Sequence, residues 1–135
     1  MYIQSIQSND KSAFCSRTQI IATPKGRAKL KQVLTNSRGK YMLIDFSDRT
    51  YNPMENLISK PYNCTMTLLT GKDYFYTKYM KRYALNSIEY KTVYINERSN
   101  GEMQKLLRRT ENKQDQEFID GMLSVLKLYG RKDIE

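Results

Sequence analysis

Hydrophobic and polar positions along this chain switch between a period of two and a period near 3.6, and the switches predict its elements. Met1 to Ser8 and Arg17 to Thr23 read as short strands, the second carrying the β-branched pair Ile20-Ile21. Thr23-Pro24 then opens a helix, with Thr as cap and Pro in its first turn. Leu30, Val33 and Leu34 share one face of that helix, flanked by Lys25 and Lys29 on one side and Arg27 and Lys31 on the other. Asn36-Ser37-Arg38-Gly39 ends it, and the apolar run Lys40 to Phe46 is a buried strand.

The second half continues the alternation. Asn52-Pro53-Met54-Glu55 starts a short helix that runs to Ser59 and stops before Pro61. Asn63 to Thr70 is a strand. Gly71 to Asn86 places Phe75, Tyr79 and Arg82 or Tyr83 at helical spacing; its tyrosines also suit a strand, and Tyr76, Met80 and Tyr83 tip the reading to helix. Ile88 to Ile95 alternates as a strand, and Ser99-Asn100-Gly101-Glu102 is a capping-box start for a helix bearing Met103, Leu106 and Leu107. Gln114 to Tyr129 is a long helix whose apolar face (Phe118, Ile119, Met122, Leu123, Val125, Leu126, Tyr129) should lie buried against the sheet. Gly130 is its stop. Interleaved strands and helices without a linker or repeat imply an α+β fold: one compact domain over residues 1–135, a mixed sheet of about five short strands with helices packed on it, and a C-terminal helix pair.

Charge changes the picture most. The chain has 23 Lys and Arg against 14 Asp and Glu. Residues 11–44 hold eight of those cations (Lys11, Arg17, Lys25, Arg27, Lys29, Lys31, Arg38, Lys40) and no acid, so one segment owns nearly the whole surplus of +9. That is the footprint of a phosphate-binding surface. Tyr74, Phe75, Tyr76, Tyr79 and Tyr83, with Tyr90 and Tyr94 further on, are interleaved with Lys78, Lys81 and Arg82. Rings beside cations suit single strands, because each base offers a face to stack on. The competing reading buries most of these rings in the core and leaves two or three exposed. Lys105, Arg108 and Arg109 share a helix face, where Glu102, Glu111 and Asp115 are near enough in sequence to neutralise them.

Composition excludes much chemistry. The chain has no histidine, which removes Ser-His-Asp and Cys-His nucleophiles and His-containing zinc sites. Cys15 and Cys64 stand alone, without CxxC spacing. No apolar stretch reaches membrane-spanning length, and Met1 to Asn9 lacks a signal-peptide pattern, so a cytoplasmic setting is expected. Thr70-Gly71-Lys72 fails as a phosphate loop, since Met66 occupies the first glycine position and Asp73 replaces Ser or Thr. Arg38-Gly39-Lys40-Tyr41 starts like an RNA-recognition sheet motif, but Leu43 and Asp45 stand where rings belong.

Glu89-Tyr90-Lys91 on a strand, with Asp73 and Asp45 upstream, loosely resembles the restriction-endonuclease-like family, without that family's proline before the upstream acid. The resemblance implies a divalent metal held by Asp73 and Glu89, with Lys91 steadying the attacking hydroxide.

Three functions follow as expectations. The first is a non-enzymatic nucleic-acid-binding protein in an accessory or regulatory role. It slightly prefers single-stranded DNA or RNA, contacts phosphates through Lys25, Arg27, Lys29, Lys31, Arg38 and Lys40, and stacks bases on Tyr76, Tyr79 and Tyr83. It needs no cofactor or metal, and its small, linker-free build suits a phage or mobile-element accessory protein. The second is a Mg-dependent nuclease using Asp73, Glu89 and Lys91. The third is a small inhibitor or adaptor that docks on an acidic surface of a partner protein.

Overall fold

A computed structural model describes residues 16–46, 61–81 and 91–131. The expected strand at Met1–Ser8, the short helix after Pro53 and the stretch from Arg82 to Tyr90 lie outside the described residues. Within them the order is β1 (Arg17–Ala22), α1 (Pro24–Thr35), β2 (Met42–Asp45), β3 (Cys64–Leu69), α2 (Gly71–Tyr79), β4 (Lys91–Ile95), α3 (Asn100–Thr110) and α4 (Lys113–Leu128). The strands form one mixed sheet in the order β2-β3-β1-β4. β3 runs antiparallel to both β1 and β2, while β1 and β4 are parallel, with Ile20 opposite Met66 on one side and Val93 on the other. This is an α+β arrangement with a C-terminal helix pair; four strands, rather than five, lie among the described residues.

Strand alternation builds two cores. Ile20, Ala22, Cys64, Met66, Leu68, Val93 and Ile95 point to one face, where α1 covers them with Leu30 and Leu34 and α3 with Met103 and Leu106. Burying a leucine of this kind contributes about 1.5–3 kcal/mol. Leu69 points to the other face, where Tyr74, Phe75 and Tyr79 of α2 and Ile119 of α4 close a second core. Every residue of β3 is buried, as a central strand with helices on both faces requires.

The local signals divide. Thr23 Oγ1 accepts from the Gly26 amide at 3.0 Å, as the Thr-Pro start predicts. Asn112 caps α4 in the same way, accepting from the Asp115 amide at 2.9 Å. Gly130 stops α4 with φ +78°; its amide donates to Lys127 O and the Arg131 amide to Leu126 O, a Schellman closure. The capping box at Ser99 does not form. Ser99 Oγ accepts from the Asn96 amide at 2.9 Å instead, binding the turn before α3 rather than the helix itself.

α4 is less enclosed than its sequence suggests. Its apolar residues face α2 more than the sheet, and only Asp115 and Ile119 are buried. Leu126 is half-covered, and Val125 and Tyr129 are exposed. A helix packed on another helix covers a narrower stripe than one laid across a sheet, so Ile119, not Leu126, anchors α4.

Candidate nucleic-acid interface

The first-core helices lie side by side. The Thr23 amide donates to Ile95 O at 3.0 Å, tying the start of α1 to the end of β4. Gly26 lies so close that a Cβ there would stand 2.6 Å from Ile95 O, and Lys29 Nζ donates to Glu97 O at 3.0 Å. α3 starts at Asn100, just beyond. At the far end Ser37 Oγ meets Thr110 Oγ1 at 2.5 Å, and the Arg38 amide donates to Glu111 Oε2 at 2.8 Å. Gly39 is pressed against the Thr110 carbonyl, where a Cβ has no room. Helices that begin together and end together run in the same direction, so α1 and α3 present one continuous outer surface.

Their sheet-facing stripes are Gly26, Leu30 and Leu34 on α1 and Met103, Leu106 and Thr110 on α3. Lys25, Gln32, Arg38, Gln104, Lys105 and Arg108 are exposed, with Lys29 half-covered beside Glu97. Lys25, Arg38, Lys105 and Arg108 form no ion pair among the described residues. Among the described residues Lys105 and Arg108 therefore lack the expected pairing with Glu102, Glu111 or Asp115, whereas the Arg109 charge does act on Asp115. Glu111 takes the Arg38 amide, and Asp115 is buried.

The acid-free run also finds partners the sequence hides. Arg27 Nη2 and Lys31 Nζ both reach Asp45 Oδ2, at 2.8 and 2.5 Å. Lys40 Nζ reaches Asp120 Oδ1 at 2.6 Å. Two carboxylates, from β2 and α4, thus offset part of the charge of these three expected phosphate contacts. The stacking set changes too. Tyr79 is buried, tilted over Phe75 with ring centroids 5.4 Å apart, and burial followed by its neighbour Tyr74 raises its hydroxyl pKa. It is a core ring and cannot stack on a base. Tyr76 is partly buried against the same core, and Tyr83 lies outside the described residues. Tyr94, on β4, is exposed and packs edge-on against Tyr62 at 5.5 Å.

Of the nuclease constellation, Asp73 and Lys91 lie among the described residues. Asp73 is 1% exposed and holds Arg17, Nε to Oδ2 3.5 Å, while its amide donates to Ser16 Oγ. Lys91 is exposed at the start of β4, and Glu89 lies outside the described residues. No three potential metal ligands come together among the described residues.

A second buried acid was not singled out by its sequence. Asp115 packs against Gly71, its Oδ2 has no hydrogen-bond partner, and nearby Arg109 keeps two buried nitrogens equally unmatched. Burial raises the Asp115 pKa, opposed by the Arg109 charge and a Thr70 hydrogen bond. Folded protein therefore holds this proton more tightly than unfolded chain does. The resulting stability is complete below the ordinary carboxylate pKa and is lost as pH rises through the raised value. Asp115→Asn is expected to flatten that part of the pH profile and to raise the melting temperature at neutral pH. Thermal unfolding from acid to neutral pH checks both; a profile unchanged by the substitution would remove Asp115 from it.

Comparison with known protein families, characterised proteins and solved structures finds no match to this chain. No helix among the described residues is long and apolar enough to cross a membrane.

Proposed function

We propose that this chain is a non-enzymatic nucleic-acid-binding protein that contacts the phosphate backbone through the shared outer face of α1 and α3. One observation carries the reading: exposed cations, without ion pairs among the described residues, on and just beyond two parallel helices locked together at both ends. Lys25, Arg38, Lys105 and Arg108 supply the charge, with Lys29 at the α1 flank and Gln32 and Gln104 as neutral donors between them. A rigid pair of helices holds these groups in place before binding, which limits the ordering cost of binding. The burial of Tyr79 removes part of the support for single strands, so the reading commits to the backbone rather than to a strand type.

The test is salt dependence. Each lost phosphate contact removes roughly 0.7 from the slope of log affinity against log salt for a single strand and about 0.9 for a duplex. Replacing Lys25, Lys105 and Arg108 together with glutamine is expected to lower the slope by about 2 or more. The same charge loss at Lys72, Lys78 and Lys81, on and just after α2 at the other core, should change it far less. Equal slopes for the face triple and wild type would defeat the reading. Absence of binding to any oligonucleotide, with capture of an acidic protein instead, would favour the adaptor.

A further inference from the structure

If the α1–α3 face holds phosphates, as proposed above, its chemistry also selects the form of nucleic acid. From Pro24 to Arg38 and from Asn100 to Glu111 the chain carries eight Lys and Arg against two acids, Glu102 and Glu111, and it has no Tyr or Phe there. Among the described residues the exposed rings stand elsewhere, Tyr94 on β4 and Tyr129 just after α4. Tyr41 comes close to α1, but its hydroxyl donates to Leu34 O at 2.9 Å and its ring packs against the first core.

A single strand is held by charge along its backbone together with rings on which its unstacked bases lie. α1 and α3 supply the charge and no ring. A duplex asks only for the charge, because its bases stack on one another and its stiffness fixes the phosphates before binding. Cations preset on a rigid helix pair then meet phosphates preset on a rigid double helix, and little ordering is needed on either side. The placement of the cations points the same way. Lys25 and Arg38 lie on α1 and just beyond it, Lys105 and Arg108 on α3, and packed helices stand about 8–10 Å apart. Two rows at that spacing suit phosphates facing each other across a groove of roughly 6–12 Å. A lone strand follows one row.

We propose that the α1–α3 face binds double-helical rather than single-stranded nucleic acid, along the phosphate rows and not through the bases. Counterion release sets the size of the preference. Each contact contributes about 0.9 to the salt slope on a duplex and about 0.7 on a single strand. Contacts from Lys25, Arg38, Lys105 and Arg108, with equal binding at about 1 M salt, then favour the duplex roughly six-fold at about 0.1 M.

Titration of the full chain with a mixed-sequence DNA duplex, with each of its separated strands, and with the RNA duplex of the same sequence tests the proposal. The DNA duplex should be held several-fold tighter than either strand. Lys25, Lys105 and Arg108 changed together to glutamine should lower its salt slope by about 2.7. The two duplexes share the phosphate rows, so both should outbind their own strands, and the tighter of them names the polymer. Single strands bound as tightly as the duplex would overturn the proposal; if their slope still fell in the triple variant, phosphate binding by this face would stand without it. A triple variant with the wild-type slope on both forms would defeat phosphate binding by the face, and the proposal with it. Tyr94→Ala and Tyr129→Ala, at rings off this face, should change neither affinity. A several-fold loss of binding in either would show bases stacked on the protein and would also overturn the proposal.

Discussion

Phe75→Ala is expected to lower the unfolding free energy by about 3–5 kcal/mol, the range for removing a buried phenylalanine. Phe75 is fully enclosed and lies at the centre of the second core. Its ring meets Tyr76 at 5.7 Å, Tyr79 at 5.4 Å and Phe118 of α4 at 6.2 Å between centroids. Truncation removes the transfer free energy of the ring and leaves a void between two helices that touch the sheet mainly through Leu69, Met42 and Ile44. The rings around it are held by their own backbones and can collapse only in part. Denaturant unfolding should show the loss as a lower midpoint with an unchanged slope. A loss below about 1 kcal/mol, outside the range for a buried aromatic, would mean that α2 and α4 are not packed as described.

Asp73→Ala should also cost about 3–5 kcal/mol, for an electrostatic reason. The carboxylate of Asp73 is buried in the first turn of α2, where the helix dipole favours a negative charge, and it stands 3.5 Å from Arg17 Nε on β1. Removing the acid strips a largely buried guanidinium of that counter-charge, and this penalty exceeds what the intact pair contributes to folding. Asp73→Asn keeps the shape and amide geometry and should lose less. The outcome also separates structure from chemistry at this residue. An Asp73→Ala protein as stable as wild type, yet deficient in a Mg-dependent cleavage that wild type performs, would return Asp73 to a metal-binding role.

Elements whose signals are local were legible. Thr23-Pro24 and Gly130 act within one turn, and the structure uses each as its chemistry dictates, while the Asn112 cap of α4 was missed. Strand β4 follows from alternation, β1 from its β-branched pair and β2 from its apolar run, although β2 is a half-covered edge strand rather than the buried one its composition suggests. Ser99 misled because a hydroxyl at a helix start can bond forward to the helix or back to the preceding turn, and the sequence does not rank the two. The electrostatics were least legible. Lys31 finds Asp45 across a strand connection, and Lys40 finds Asp120 at a separation of 80 residues. Conversely Arg108, close in sequence to acids, forms no ion pair with any of them among the described residues. Charge runs report composition, whereas neutralisation depends on contacts that only the tertiary fold makes.

The parallel pairing of β1 with β4 has a consequence for how the protein is made. Thr18 is bonded in register opposite Lys91, and Gln19 meets Thr92 across 73 residues of chain. At roughly 5–20 residues per second, a ribosome releases β4 several seconds after β1. During that interval β1, the strand with Ile20 and Ile21 at its centre, can pair with β3 but has one edge bare. Such an edge is a template for neighbouring nascent chains on the same message. Synthesis of this chain in quantity should therefore depend on holdase chaperones, or on slow translation at low temperature, more than its modest size implies.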